Sequence, residues 1–309
     1  MISLTVLALA GALVIQDTPA RASSPPADLD QAVEIEAITV EGRRTRDAAQ
    51  AFVRSVAAAP AGARLARWKA PICISVANMR APYGQMMIDR IADVATELDL
   101  EVGQPGCTAN VLILATEDGP STAKALVEGW RGRFRPPVDN SNMGLAALDR
   151  FRTSEAPVRW WQISMPFSLD TNSLAAPVAG GPPPNVSVRN LSRMRSGIRH
   201  DLTSVTVVID LSKTEGVALP ALIDYTAMVV LAQVDPRADY SGQPTVLNLF
   251  SDREAVEGLT DWDRDYLDAL YSAEPDRASA VGQEAAVADS LMRKRRERAD
   301  APIPNLDNQ

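Results

Sequence analysis

Between Pro71 and Trp130 the chain alternates two kinds of apolar periodicity, and this limits the folds open to it more than any other feature. Pro71-Ile72-Cys73-Ile74-Ser75-Val76 reads as a strand. From about Pro82 to Leu100, the apolar residues Met87, Ile88, Ile91, Val94, Ala95 and Leu98 recur at spacings of three and four. Asp89, Arg90, Asp93 and Glu97 fall on the other side, a pattern that predicts an amphipathic helix. Pro82 suits its first turn. Val111-Leu112-Ile113-Leu114-Ala115 reads as a buried strand, and Ser121 reads as the N-cap of a helix through Trp130. The order is strand, helix, strand, helix, and if the two strands are parallel neighbours their crossover should be right-handed.

The flanking segments add elements without repeating the pattern. Asp47 opens a helix with Phe52, Val53 and Val56 as its apolar side, stopped by Pro60. A short helix is expected at Leu145–Phe151 and a strand at Val158–Ile163. Residues 165–197 hold Pro177, Gly180-Gly181 and Pro182-Pro183-Pro184 and read as a disordered insert, with a functional loop as the alternative. Val205–Leu211 is a strong strand, and Pro220–Val234 is apolar almost all round, as a deeply buried helix is. Thr245–Phe250 reads as a loop or short strand. Thr260 caps a helix over Asp261–Tyr271, and a last helix covers about Ala278–Arg298. The expected class is α+β, a mixed β-sheet with flanking helices.

The N-terminus speaks to compartment. Ile2–Ile15 is mostly apolar but too short for a bilayer core of ~30 Å. With Ala20-Arg21-Ala22 behind it, it reads as a signal peptide over residues 1–22, although no Lys or Arg precedes the apolar run. The alternative is an uncleaved amphipathic N-terminus. A leader over 23–45 follows, in which Val33, Ile35 and Ala37 allow a short edge strand. The globular domain is then expected over 46–272, with a C-terminal helix and tail over 273–309. Export to the periplasm or beyond allows the only two cysteines, Cys73 and Cys107, to pair as one disulfide. Two buried free thiols are the alternative.

Composition and residue counts exclude several chemistries. A net charge of −8 argues against nucleic acid as the main partner. The one basic cluster, Arg293-Lys294-Arg295-Arg296, reads as a solvated helix end, where cations suit the macrodipole. No glycine-rich phosphate loop and no Gly-x-Ser-x-Gly elbow is present. The chain has one histidine, His200, so a helical His-Glu-x-x-His zinc site is absent. No metal and no cofactor is therefore expected. His200 reads as a strand-end histidine, or as the base of a long-range triad. Asp224, inside an apolar helix beside Tyr225, needs a partner or a cavity. It also lies in the first turns after Pro220, where an acid suits the helix N-terminus. These three, Asp224, Tyr225 and His200, are the candidate catalytic residues.

Two segments together carry a resemblance. Pro220-Ala221-Leu222-Ile223-Asp224-Tyr225-Thr226-Ala227-Met228 follows a strand. Leu259-Thr260-Asp261-Trp262-Asp263 leads to Leu267, Leu270 and Tyr271, with Asn248-Leu249-Phe250 between the two segments. Over residues 203–272 this resembles zincin-like metallopeptidases of the matrixin type, where the first segment is the metal-binding helix and the second the Leu-Thr-x-x-Asp helix. At the family's His, Glu and His positions this chain has Asp224, Tyr225 and Met228. The resemblance implies a zincin-like shell without its zinc ligands. Further upstream, Trp68-x-x-Pro71-x-Cys73, Arg90-Ile91 and Gly106-Cys107-x-x-Asn110 resemble exported alphaproteobacterial proteins of unknown function. The expected function is that of an exported, non-catalytic envelope protein that binds another envelope protein or a peptide. The alternative is a metal-independent hydrolase using carboxylate, Tyr or His chemistry in the corresponding cleft.

Overall fold

The strands read near 71–76 and 111–115 lie side by side and parallel, pairing Ile74–Ala77 with Val111–Leu114, in a computed structural model that describes residues 45–178, 181, 195–253 and 256–300. The expected signal peptide, leader strand and final tail, and the middle of the 165–197 segment, lie outside the described residues. In chain order the elements are α1 (45–56), β1 (Arg67–Trp68), β2 (Ile74–Ala77), α2 (Ala81–Glu97), β3 (Val111–Thr116), α3 (Gly119–Gly129), α4 (Arg131–Phe134), α5 (Leu145–Thr153), β4 (Val158–Ser168), β5 (Ile198–Asp210), α6 (Leu219–Leu231), α7 (Asp261–Ser272) and α8 (Ala280–Asp300).

The fold is α+β, a mixed five-stranded sheet flanked by helices. β5 is its axis. β4 runs antiparallel along one side of β5, from Val158 opposite Ile209 to Ser168 opposite Ile198. On the other side β5 pairs in parallel with β3 at residues 205–210 and with β1 at Asp201 and Leu202. β2 extends the sheet beyond β3. The order is therefore β4–β5–β3–β2, which leaves β4 at one edge.

Side-chain alternation divides the two faces. Val158, Trp160, Val205, Val207, Ile209, Val111 and Ile113 belong to the main core with α2, α6, α7 and the apolar side of α8. Trp161, Ile163 and Val208 face a smaller cluster with Ala123, Val127, Phe134, Leu148 and Phe151 of α3, α4 and α5. Covering both faces explains why these strands read as near-continuous apolar runs. The residues of α6 from Ala221 to Leu231 are all buried, as its all-round apolarity requires. The described residues form one compact unit, and Val287, Ala288, Leu291 and Met292 bring α8 into its core.

Helix ends are closed by side chains from the sheet. Arg67 donates to the carbonyls of Leu270, Tyr271 and Ala273 at the end of α7. Gln162 donates to Val229 O and Ala232 O at the end of α6, both at 2.7 Å. These contacts satisfy carbonyls that a helix leaves unpaired, and no Gly follows either helix. At the start of α7, Thr260 and Asp263 form a capping box. The start of α3 differs from expectation: the cap is Asp118, whose Oδ1 accepts from Ser121 N at 3.0 Å, and the helix begins two residues before Ser121.

Cys73 and Cys107 are disulfide-bonded, with Cα atoms 6.0 Å apart. Asn110 completes the same corner, accepting from Cys73 N at 2.8 Å and donating to Pro71 O at 2.9 Å. No helix among the described residues is long and apolar enough to cross a membrane.

The basic cluster near the C-terminus is paired with α7. Lys294 meets Asp268 at 3.0 Å, Arg295 and Arg298 converge on Asp265, and Arg295 lies over the Trp262 ring at 4.7 Å. These cations neutralise the acidic side of α7, which the expectation of a solvated helix end did not include.

Candidate functional site

The three candidate catalytic residues do not meet. Asp224 points from α6 to α2, where Arg90 Nε donates to Oδ1 at 2.7 Å and Nη2 to Oδ2 at 3.2 Å. Its Oδ2 also accepts from Leu259 N at 2.8 Å. Gly258 is required for that approach, since a Cβ there would lie 2.6 Å from Asp224 Oδ2. Asp224 therefore ties α2, α6 and the lead into α7 together. Tyr225, the next residue, leaves α6 on another side and packs edge-on to Trp160 and Phe250, with centroids 6.1 and 5.1 Å away. Burial pushes its phenol up, so it stays protonated at neutral pH. Met228 is fully buried in the core. His200 lies on β5 opposite Pro166, and its Nδ1 is buried without a partner. Burial, with help from Arg64, lowers its pKa to about 4, so it is neutral at pH 7. Among the described residues no group of three or more His, Cys, Asp or Glu is placed to hold a metal ion.

What the fold does build is an open groove of about 450 Å³ beside β4. Consecutive residues from Pro157 to Gln162 line it. Side chains of both faces can do so only where a strand exposes its edge. One wall holds Tyr225, Tyr240, Leu247 and Phe250, and the other Met143, Ala147, Arg150 and Phe151 of the α5 layer. The lining is mostly apolar and aromatic, with a few charged groups at its rim, as ligand grooves generally are.

Backbone geometry shows which groups face the groove. Asp210 N donates to Pro157 O at 2.8 Å, so these two are a hydrogen-bonded pair. Antiparallel ladders alternate. Arg159–Val208 and Trp161–Thr206 are therefore the next bonded pairs, on the register of the ladder. On the other side of β5, Val205 N donates to Asn110 O at 2.9 Å, consistent with this phase. Val158, Trp160 and Gln162 consequently aim their N–H and C=O groups away from β5, into the groove. Among the described residues no hydrogen bond reaches those groups. Beyond them the chain covers its own edge: Ser164 N donates to Ser141 O and Ala175 N to Pro166 O, both at 2.8 Å. The edge without backbone partners is thus confined to Val158–Gln162, where Val158 to Trp161 are at most 8% exposed and lie at the floor of the groove.

The walls are firmly held. Trp160 Nε1 donates to Val234 O at 3.0 Å and Trp161 Nε1 to Phe134 O at 3.0 Å. Asp263, fully buried, accepts from Thr245 Oγ1 at 2.5 Å, Val246 N at 2.8 Å, Thr260 N at 3.0 Å and Thr260 Oγ1 at 2.8 Å. It anchors the turn that presents Leu247 and Phe250. Of the sequence candidates only Tyr225 lines the groove. Trp160, Phe250 and Tyr240 were not singled out, because an aromatic residue in a strand or loop reads as core until the strand is known to be an edge.

Comparison with protein-family models, with curated proteins and with solved structures finds no match to this chain.

Proposed function

We propose that this chain is an exported, non-catalytic binding protein of the envelope, built on a degenerate metallopeptidase-like domain. In this reading it captures an extended polypeptide on the open edge of β4. The observation that carries the proposal is the set of unpaired backbone groups at Val158, Trp160 and Gln162, facing an aromatic groove. A strand added there gains main-chain hydrogen bonds, and alternate side chains enter pockets on either wall. An exposed edge is otherwise a liability that proteins cover or twist away. Here the edge goes without backbone partners over only five residues, at the floor of a groove.

Two further observations support the non-catalytic part. Asp224 is committed to Arg90 and Leu259, and Met228 to the core. Asp224 and Tyr225 leave α6 on different sides, and His200 lies on β5. The disulfide and the lack of a membrane-crossing helix among the described residues are compatible with the periplasm or the exterior.

The test uses random octapeptide pools against the purified chain. Members retained by the protein are resynthesised with single N-methyl groups. Strand capture predicts that methylation abolishes binding at alternate positions only, since alternate N–H groups face β4. Binding that is indifferent to every methylation position would remove this reading.

A further inference from the structure

A second cleft, of about 750 Å³, opens among α3, α4 and α5. It shares no lining residue with the groove beside β4. Buried Val127, Phe134 and Leu148 form its base. Charged side chains of both signs complete the lining: Arg131, Arg135 and Arg152, with Glu128 and Asp149.

The arginines of this region are sorted by direction. Arg135 N donates to Arg131 O at 2.8 Å, so these two residues lie one helical turn apart and share a side. Arg133, between them, turns the other way and donates to Thr206 Oγ1, Ala109 O and Asn110 O at 3.2, 3.4 and 3.3 Å. Arg152 reaches the cleft from the last turn of α5. Its Nε is buried without a hydrogen-bond partner, which is costly for a donor unless something bound accepts from it. Among the described residues, no ion pair or hydrogen bond engages the charged groups of Arg131, Arg135, Arg152, Glu128 or Asp149. Arginines therefore outnumber acids here, three to two, on a chain of net charge −8.

Guanidinium groups only donate, and ionised carboxylates only accept. A cleft that presents both kinds unpaired suits a ligand with anionic oxygens on one part and hydroxyl donors on another. Phosphate oxygens match the fork of a guanidinium. The volume is that of a small-molecule site, larger than a bare ion requires.

We infer that this cleft binds a phosphorylated polyol, with the phosphate held by Arg131, Arg135 and Arg152 and hydroxyl groups donating to Glu128 and Asp149. The site is separate from strand capture on β4, and neither depends on the other.

The experiment titrates the native chain calorimetrically with glycerol phosphate, inositol monophosphate, the two unphosphorylated polyols and inorganic phosphate. Vesicles of phosphatidylglycerol and of phosphatidylcholine form a parallel arm. The inference predicts that a phosphorylated polyol binds at least tenfold more tightly than its parent polyol or inorganic phosphate. Arg131 and Arg135 are exposed and unpaired, so Arg131→Gln/Arg135→Gln keeps the fold. That variant and Arg152→Gln should each weaken the binding at least tenfold, while octapeptide binding stays at the native level. Glu128→Ala should weaken the phosphorylated polyol more than inorganic phosphate. Arginine-dependent binding of phosphatidylglycerol vesicles without the free esters would assign the polyol phosphate to a lipid headgroup. No preference for a phosphorylated polyol in either arm, or an affinity indifferent to the arginine variants, overturns the inference.

Discussion

Arg90 on α2 grips Asp224 on α6 with two prongs, at 2.7 and 3.2 Å, while the same carboxylate accepts Leu259 N at 2.8 Å. A carboxylate with this many fixed partners is a tie between elements. Asp224→Ala leaves a buried N–H and a half-buried guanidinium unpaired, which should cost about 2–3 kcal/mol. Urea unfolding of the single variants and the Arg90→Ala/Asp224→Ala double variant measures the coupling. We expect a coupling of at least about 1 kcal/mol, with peptide binding unchanged in whatever fraction remains folded.

His200 makes stability depend on pH. Its folded pKa, lowered by burial to about 4, lies below the ordinary value of 6.5. The unfolded chain therefore takes up a proton first as pH falls. The contribution is complete above pH 6.5 and is lost between there and about pH 4. The residue is partly exposed, so the loss should be roughly 2 kcal/mol, less than the full shift implies. His200→Gln should flatten this limb of the stability–pH curve relative to the native chain. Parallel curves for the two proteins would contradict it.

The Cys73–Cys107 bridge spans a sequence separation of 34. Chain entropy assigns about 3–4 kcal/mol to a loop of that size. Reduction, or Cys73→Ala with Cys107→Ala, should lower stability by that order in denaturant unfolding. The pair joins the start of β2 to the segment before β3, far in sequence from β4, so peptide affinity should be retained.

Asp263 holds the wall that carries Leu247 and Phe250. Asp263→Ala removes the acceptor for four donors and should cost about 3 kcal/mol. It should also weaken peptide binding severalfold by loosening the turn. Phe250→Ala should weaken binding at least as much with a smaller loss of stability. Titration and unfolding of both variants separate the two effects.

The sheet was readable where periodicity was strong. β2, α2, β3, α6 and α7 fall within two or three residues of their expected bounds, because each buries a regular face. β5 was read from Val205, yet it begins at Ile198: Ile198-Arg199-His200-Asp201 looks polar, and its strand character comes from pairing to β4 and β1. β4 likewise runs to Ser168 through Pro166, which an edge strand tolerates. β1 and α4, of two and four residues, carry no periodic signal. The disulfide was readable from two cysteines and an expected export. The groove was not, because an open edge is a property of strand order, and nothing local to Val158–Gln162 states which strand will be last.

The most direct test is residue-resolved amide exchange of β4, with and without a peptide selected from the octapeptide pools. In the free chain, Arg159 and Trp161 should be protected through β5 while Val158, Trp160 and Gln162 exchange faster. With peptide bound, those three amides should gain protection together and the alternation should vanish. Protection that appears elsewhere, or an alternation that persists at saturation, would show that β4 does not receive the partner.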